Sequence, residues 1–369
     1  MANSSKERTT MTVGLDLGDK HTHVCILDTE TGEVMEEGRL RTTPEAFESR
    51  FEGSERLTIA LEVGTHSPWV SRLLEGSGHE VVVANPRKTR LIYSGSRKTD
   101  RIDAEKLARL LRSDPELLYP VSHRGEESQA HPALIHSREA LVRSRTRLVN
   151  HVRGTVKSFG PRLPSCSSAS FHKKAPGHIP PELREALDEV IEAIASLTKK
   201  IESHDKRIEA LCGEDYPESG RLRQVPGVGP ITALAFVLTL EDPSRFKKSR
   251  SVGAHLGLAP ATEQSGDRDP QRRITKEGDE MLRRLLVGSA NYILGPFGGD
   301  SDLRRHGEKI ASRGGKSAKK RASVAVARKL SVVLHRLWAT GEEYEPLRNT
   351  HRSKEEARRE EVRKEEALA

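Results

Sequence analysis

Two aspartates set among basic residues are the first candidates for chemistry. The stretch SRKTDRIDAEKLARLL, residues 96–111, places Asp100 and Asp103 three positions apart. Leucines at spacings of three and four follow them, which predicts a helix. Residues three apart on a helix share one face, so the two carboxylates lie side by side. The two carboxylates either stabilise the first turn of that helix by interacting with the helix dipole, or they bind metal ions.

Two further acids stand near the ends of predicted strands. In TVGLDLG, residues 12–18, Asp16 alternates with glycines, and the apolar residues occupy the opposite face. In RLTIALEVG, residues 56–64, Glu62 lies among small residues in the same way. An acid on such a face has no packing role. Its small neighbours leave room for a ligand at the carboxyl ends of the strands, where open α/β sheets bind ligands.

Together these acids form a set of four carboxylates drawn from three elements. Close carboxylates repel one another unless a cation offsets their charge. Oxygen ligands suit Mg²⁺ or Mn²⁺, and a pair of such ions can activate a nucleophile and stabilise the leaving oxygen in phosphodiester chemistry. We therefore predict a divalent-metal site, called the acid site below, formed by Asp16, Glu62, Asp100 and Asp103.

The elements that must position the acid site alternate between strands and helices. Three short strands occupy residues 12–40, and two more are predicted at 56–64 and 79–86. An amphipathic helix at 67–78 separates the last two strands. This order predicts a mixed α/β sheet. We expect the catalytic domain to span residues 10–125.

A heptad pattern follows in the region expected to be helical, residues 126–215. Apolar residues alternate at spacings of four and three, which predicts a coiled coil about 40 Å long. This helix can pair with residues 135–160 of the same chain or with another subunit. The predicted seam consists of Leu183, Leu187, Val190, Ile194, Leu197, Ile201, His204, Ile208 and Leu211. A buried His204 is expected to set the helix register rather than to bind metal.

The charge of the chain indicates a polyanionic partner. The net charge is +8 and the pI is near 9.4. Between Arg304 and Lys329 there are ten basic residues and one acidic residue, which suits contact with a phosphate backbone. The chain has only 7 Phe, 5 Tyr and 2 Trp. Recognition of duplex shape and backbone is therefore expected to dominate over base stacking.

Cysteine usage and hydropathy narrow the class of protein further. The three cysteines form no CxxC pair and no zinc spacing, which indicates a reducing compartment and no structural zinc. The first ten residues lack the apolar core of a signal peptide, and no stretch approaches the length of a membrane span. We expect a soluble, intracellular protein with no membrane partner.

The order Asp16, Glu62 and then KTDRIDAEKLARLL resembles the DEDD transposases of bacterial insertion sequences. This is the insertion-sequence one-ten family, also called bridge recombinases. The resemblance implies an α/β RNase H-like (RuvC-like) domain, a fold shared with Holliday-junction resolvases, followed by a mainly α-helical remainder. It also implies that the acid site is catalytic and uses Mg²⁺ or Mn²⁺.

The second half of the chain carries the same resemblance. PGVGP at 226–230 is similar to a helix–hairpin–helix turn that binds phosphate, or it is an ordinary turn between helices. The order GLAP, QSG, ITKEG and LRRLL resembles the C-terminal transposase domain, expected at 216–345 before a charged tail at 346–369. The serine of QSG, Ser265, matches the family's nucleophile. The expected nucleic-acid contacts are Arg268, Arg272, Arg273, Lys276, Lys316, Lys319, Lys320 and Arg321.

The resemblance implies a DNA recombinase that cuts and rejoins donor and target DNA, guided by a structured RNA of its own element. It also implies a homo-oligomer, a dimer or a tetramer, joined through the coiled coil, at the bacterial nucleoid in the cytoplasm. One alternative is a RuvC-like metal-dependent junction nuclease without serine chemistry. Another is a non-enzymatic scaffold that binds nucleic acid. An actin-like ATPase is disfavoured, because the second glycine-rich segment follows a coiled coil rather than a strand.

Overall fold

The chain folds into two compact units, residues 1–126 and 127–369, which are described separately. The structure is a computed structural model that describes residues 10–89, 99–121, 123, 126–262 and 272–351. Ser265 and Arg268, predicted as nucleophile and phosphate contact, lie outside the described residues. Most of the predicted charged tail also lies outside them. The predicted boundaries at residues 215 and 345 stay predictions.

In the described part of the first unit, five strands form one sheet in the order β3-β2-β1-β4-β5. The first three strands pair antiparallel, while β4 and β5 lie parallel to β1. The strands are β1 (Met11–Leu17), β2 (His21–Asp28), β3 (Val34–Arg41), β4 (Thr58–Glu62) and β5 (Glu80–Ala84). The mixed α/β sheet predicted from the sequence is confirmed, and it is consistent with an RNase H-like fold.

One face of the sheet packs against two amphipathic helices. These are α1 (Pro44–Phe51) and α2 (Ser67–Gly76). The alternate apolar residues of the central strands point to this side and are fully buried against the helices. This core contains Val13, Leu15, Ile59, Leu61, Phe47, Phe51, Val70 and Leu74. Thr43 caps α1 by accepting a hydrogen bond from the Ala46 amide.

Strand β3 forms one edge of the sheet and is exposed along almost its whole length. Its side chains include two glutamates and two arginines, and both glutamates make ion pairs with residues of neighbouring helices. Glu36 pairs with Arg50 at 2.8 Å and Glu37 pairs with Arg101 at 2.6 Å. The pairing of β2 with β3 also shifts register between Ile26 and Leu27. The edge is therefore charged and irregular.

In the described part of this unit, the opposite face of the sheet packs against α4 (Asp100–Ser113), which follows the short helix α3 (Pro86–Thr89) in the chain. The backbone of α4 lies directly on Gly14. A Cβ atom at Gly14 would stand 2.0 Å from the carbonyl oxygen of Ala104 and 2.6 Å from the amide nitrogen of Ala108. Only a residue without a side chain allows this approach. Cys25 is fully buried in the same layer.

This layer corrects one inference from the sequence. The pattern of small residues around the acids predicts room for a ligand. Gly14 and Ala60 instead make room for the α4 helix, whose residues Leu107 and Leu111 are buried on that face. Small side chains next to a strand acid are equally compatible with close helix packing, and packing buries more surface than an open cleft does.

The second unit begins with a helical hairpin formed by α5 (Glu126–Ser158) and α7 (Arg184–Glu214). The two helices run antiparallel, because Arg138 pairs with Asp205 while Arg145, further along, hydrogen-bonds Thr198. A turn region with the short helix α6 (Phe171–Lys174) joins them, and Phe171 is fully buried in their common core. The polar contacts of Arg138 and Arg145 thus lie between two apolar cores, one at each end of the hairpin.

The buried stripe of α7 differs from the predicted seam. Five predicted positions, from Leu183 to Ile208, are buried, but the other four are only half-buried. The four half-buried residues are Val190, Leu197, His204 and Leu211, and Ile191, Thr198 and Cys212 are buried in their place. His204 bonds the Lys200 carbonyl of its own helix. The stripe is rotated toward α5, so an intrachain hairpin accounts for the burial and a coiled coil between subunits stays a prediction.

The remaining helices of the second unit pack around α9 (Pro230–Leu240), which is apolar on all sides and almost entirely buried. They share a core that reaches the near ends of α5 and α7. These helices are α8 (Glu218–Leu222), α10 (Val252–His255), α11 (Glu280–Leu294), α12 (Asp302–Ala311) and α13 (Ala318–Thr340). Among the described helices, none is long and apolar enough to cross a membrane.

Gly227 of the PGVGP turn lies close to α11. A Cβ atom at Gly227 would stand 2.9 Å from Cδ1 of Tyr292 and 3.1 Å from the Ser289 carbonyl oxygen. This glycine therefore allows helix packing, as an ordinary turn between helices does. A Cβ atom at Gly229 would meet open space, with no described atom of another element within 4 Å. A phosphate contact at Gly229 stays a prediction.

We predict that Gly14→Ala displaces α4 and lowers the free energy of unfolding by about 1–3 kcal/mol, because the added methyl overlaps helix backbone. Denaturant unfolding followed by circular dichroism measures this loss. The matched control is Gly38→Ala in β3, where nothing lies within 4 Å of the new methyl. The control should change stability by less than about 0.5 kcal/mol. Equal stability of the two variants would contradict the packing described.

Candidate active site

Two acids of the site are brought together by neighbouring parallel strands. Leu15 of β1 pairs with Leu61 of β4, so Asp16 and Glu62 are the next residues along each strand. Because both leucines point into the α1 and α2 core, alternation turns both acids to the α4 side. Both side chains are half-buried. Asp16 and Glu62 thus share one face of the sheet.

The other two acids arrive on the first turn of α4. The close contact of α4 with Gly14 brings this turn to the same end of β1. Thr99 caps the helix by accepting a hydrogen bond from the Ile102 amide, so neither aspartate is needed as the cap. The side chain of Asp103 is 17% exposed and that of Asp100 is 70% exposed. One acid therefore faces inward and the other stands at the rim.

Electrostatic coupling joins all four acids of the site. Burial is the largest cause of the rise in the pKa of Asp16 from 3.8 to about 6, and the charges of Asp100, Asp103 and Glu62 contribute to the same rise. His23 acts in the opposite direction on the pKa of Asp16. Three carboxylates can affect a fourth in this way only when they lie near it. The structure thus brings the four predicted residues into one place.

Three neighbouring side chains hold or face these acids. Lys106 places its Nζ atom 3.4 Å from Oδ1 of Asp103, and Thr89 donates a hydrogen bond of 3.5 Å to Oε1 of Glu62. His23 lies opposite Asp16 in the β1–β2 pair. Its Nδ1 atom is buried, has no hydrogen-bond partner among the described residues, and stands 3.9 Å from Oδ2 of Asp100.

Sequence reasoning missed His23, although a signal for it was present. The two antiparallel strands are joined by a short turn, so counting back from that turn pairs His23 with Asp16. Cross-strand partners point to the same face of a sheet. A histidine at that position therefore had to face the acids.

The residues of the acid site fit a divalent metal ion in their chemistry. Four carboxylates supply only oxygen ligands, and a cation would offset both causes of the raised pKa of Asp16, which are first its burial and then repulsion by the other three acids. As they stand, however, no three histidine, cysteine, aspartate or glutamate side chains within the described ranges form a metal-binding geometry. Donor type and charge thus support metal binding, and the apo arrangement does not display it.

The predicted contacts to nucleic acid lie in the second unit. Arg272, Arg273 and Lys276 are exposed just after the segment that contains Ser265 and Arg268. Backbone hydrogen bonds join residues 259–261 to residues 273–275 at the two ends of that segment. At the start of α13 four more predicted contacts are exposed, namely Lys316, Lys319, Lys320 and Arg321.

Comparison with known proteins places both halves of the chain among transposases. Residues 13–161 match the model of the DEDD transposase domain of IS110, described as a transposase. Residues 219–295 match the model of the transposase IS116/IS110/IS902 family. The first match includes the whole acid site and the second includes Ser265.

Individual relatives give the same result over most of the chain. A putative transposase of Sinorhizobium fredii, y4pF/y4sB, is 32% identical over 80% of this chain and 76% of its own length. The transposase for insertion sequence element IS1328 of Yersinia enterocolitica is 30% identical over 64% of this chain and 70% of its own length. The transposase for insertion sequence element IS1111A of Coxiella burnetii is 26% identical over 90% of both chains.

The raised pKa of Asp16 predicts a dependence of stability on pH. A carboxyl whose pKa is higher in the folded state stabilises the fold below the unfolded value of 3.8, and this contribution is lost as pH rises through about 6. In the presence of a chelator, Asp16→Asn should therefore be more stable than the wild type at neutral pH. The gain is about 1–2 kcal/mol after solvent screening, and it disappears near pH 4.

Thermal unfolding between about pH 4 and pH 8, on either side of the raised pKa of Asp16, measures the difference in stability between the variant and the wild type. Adding Mg²⁺ or Mn²⁺ should stabilise the wild type more than Asp16→Asn, because the variant keeps only three of the four carboxylates. The control is Asp19→Asn, whose carboxylate is 91% exposed at the same end of the sheet. An equal gain in stability in Asp19→Asn would contradict the prediction, because the gain would then not depend on the raised pKa of Asp16.

Proposed function

The chain belongs to the IS110 family of transposases, enzymes that act on DNA, and on this premise we propose how its residues divide the reaction. The acid site binds divalent metal, and Ser265 attacks the DNA as nucleophile. The observation that carries the proposal is geometric: Asp16 and Glu62 share one face of the sheet, and the first turn of α4 brings Asp100 and Asp103 to the same end of β1. Such a concentration of negative charge destabilises the folded protein unless a cation is bound.

Each side chain around the acid site has a definite task in this proposal. The four acids hold Mg²⁺ or Mn²⁺, which supplies charge neutralisation for phosphoryl transfer when it is bound. Lys106 keeps Asp103 oriented, and Thr89 does the same for Glu62. The His23 ring, facing Asp100, limits the approach of water on one side. These contacts fix the carboxylates before DNA arrives.

The serine step follows from ordinary phosphoryl-transfer chemistry. The Ser265 hydroxyl loses its proton to a neighbouring carboxylate and its oxygen attacks the phosphorus. The bond from phosphorus to one deoxyribose oxygen then breaks, and that oxygen takes a proton. The product is a covalent link between serine and DNA, which retains the cut end for rejoining. Exposed Arg272, Arg273 and Lys276 are suited to hold the phosphate.

The partners of the reaction follow from the family resemblance and the charge of the chain. DNA of the donor and the target is the substrate, and a structured RNA from the same element guides the choice of site. The exposed basic residues at the start of α13 suit the backbone of either nucleic acid. We place this activity at the bacterial nucleoid in the cytoplasm.

A dimer or tetramer forms through the helical hairpin in this proposal. Val190, Leu197 and Leu211 of α7 lie at intervals of seven or fourteen residues and are only half-buried within the chain. Heptad spacing of partly exposed apolar residues suits a second helical surface of the same kind. A second copy would bury this row and bring two active sites into one assembly.

A junction nuclease without serine chemistry is the second candidate. One observation favours it: all four acids lie in the first unit, which holds the whole set without a residue from the second. Four carboxylates with bound metal suffice for hydrolysis by water. The third alternative, a scaffold without enzymatic activity, is excluded by membership in a family of enzymes.

We predict that Ser265→Ala abolishes strand exchange and the serine-linked DNA intermediate, while DNA binding changes less than about twofold, since one hydroxyl contributes little to binding. Strand exchange with donor DNA, target DNA and the element's RNA measures the first effect, and denaturing gels detect the covalent intermediate. The matched control is Ser251→Ala, an exposed serine of the same unit, which should recombine normally.

The same assay separates the two candidate functions. Recombination at the wild-type rate by Ser265→Ala would contradict the serine mechanism. Metal-dependent cutting that persists in this variant without strand exchange would favour the junction nuclease instead. Removal of divalent metal should stop both reactions, because both depend on the acid site.

A further inference from the structure

A short loop after α11 is held by an unusual number of backbone contacts. The Nη1 atom of Arg304 donates hydrogen bonds to the carbonyl oxygens of Ile293, Gly295 and Gly298 at 3.0, 2.7 and 2.9 Å. Its Nε atom donates to Oε1 of Glu308 at 2.8 Å. The guanidinium thus uses its donors to fix residues 293–298, and its side chain is only 24% exposed.

Gly298 closes this loop tightly. A Cβ atom at Gly298 would stand 2.0 Å from the carbonyl oxygen of Ile293. No other residue fits there without moving the backbone. The loop is therefore compact and has a single conformation imposed by Arg304 and by this contact.

The one large side chain on the loop points outward. Phe297 is 79% exposed, more than any other large hydrophobic residue among those the structure describes. A rigid backbone denies the ring an inward position, so the fold forgoes the stabilisation that burying the ring would give. Tyr292, in the last turn of α11, is also 46% exposed. An exposed aromatic on a fixed support is suited to a planar ligand.

Basic residues lie at the start of the helix that packs on α11. Ser323 of α13 donates a hydrogen bond of 2.7 Å to Oδ1 of Asn291, next to Tyr292. This bond ties the first turns of α13, which contain Lys319 and Lys320 and follow Lys316, to the last turns of α11. None of these three lysines has an acidic partner in the described part of the chain. Excess positive charge on the helix that adjoins α11 favours a polyanion.

Two acids near the ring in sequence, Asp300 and Glu308, form ion pairs within the protein, and Asp302 between them accepts hydrogen bonds from the Asn349 amide and the Thr350 hydroxyl. Asp300 accepts two hydrogen bonds from Arg305, at 2.8 and 2.6 Å. Glu308 is paired with Arg304. Neither carboxylate therefore opposes the approach of a phosphate backbone.

We propose that Phe297 stacks on an unstacked or unpaired nucleobase of the nucleic acid that the second unit binds. Aromatic side chains on proteins that bind nucleic acids stack on free bases or insert between base steps in this way. A phosphate backbone held by the lysines of α13 would bring a base to the ring. The proposal rests on DNA binding by the family and requires neither the acid site nor Ser265.

Binding of model nucleic acids in a chelator tests the proposal, because no cutting can occur there. The probes are a fully paired DNA duplex and the same duplex with one unpaired thymine, together with the corresponding RNA pair carrying uracil. The full-length wild type should bind an unpaired-base probe about tenfold more tightly than its paired counterpart. Comparison of the DNA probes with the RNA probes shows which of the two nucleic acids supplies the base.

Three variants give the proposal a sharp outcome. Phe297→Ala should lose the tenfold preference, and Phe297→Trp should keep it because its ring also stacks. Phe159→Ala is the matched control, since Phe159 is a 56% exposed aromatic of the same unit without such a loop. It should keep the preference. All three variants should keep the helical content of the wild type in circular dichroism, because the Phe297 and Phe159 rings are mainly exposed to solvent.

Photochemical crosslinking supplies the direct readout. With 5-iodouracil at the unpaired position, irradiation should link the probe to the peptide that contains Phe297. Retention of the preference by Phe297→Ala would overturn the proposal. A loss of self-association in that variant with unchanged nucleic-acid binding would also overturn it, because the ring would then belong to a contact between copies.

Discussion

The contact between α4 and Gly14 is the constraint on which the candidate site depends. The side chains between a helix and a sheet normally keep the helix backbone away from the strands. Here a glycine and two alanines remove those side chains, and the carbonyl of Ala104 comes within 2.0 Å of where a Cβ would be. Because α4 lies so low on β1, its first turn reaches the end of the strand. Asp100 and Asp103 then meet Asp16.

This arrangement has an electrostatic consequence. The sheet supplies Asp16 and Glu62 from adjacent strands, and α4 supplies two more negative charges above them. Lys106 and His23 offset only part of that charge, and the pKa of Asp16 still rises to about 6. The fold therefore accepts unfavourable charge at this end of the sheet. Such local conflict between stability and charge is typical of functional sites.

Much of the first unit can be predicted from the sequence, because alternation and turn residues determine strands directly. The three strands predicted within residues 12–40 correspond to β1, β2 and β3, and alternation predicts that Asp16 and Glu62 point away from the apolar core. Whether the small residues such as Gly14 and Ala60 make room for a ligand or for a helix cannot be predicted. Alternation along a strand shows which residues share a face of the sheet, but it does not show what packs on that face. The buried stripe of α7 is rotated by one residue at Ile191, Thr198 and Cys212, because the position of α5 decides which stripe is buried. The role of Ser265 depends on resemblance, and geometry does not test it.

The exposed edge strand β3 has a consequence for how this protein behaves when many copies are present in solution. An unpaired strand edge offers free amides and carbonyls to any other strand, which is the first step toward fibrillar aggregates. Here the ion pairs of Glu36 and Glu37, together with the register shift beside Ile26, make that edge a poor template. The protein is thereby protected from growing intermolecular sheets at high concentration, without a helix or loop in the described part of the chain that covers this edge.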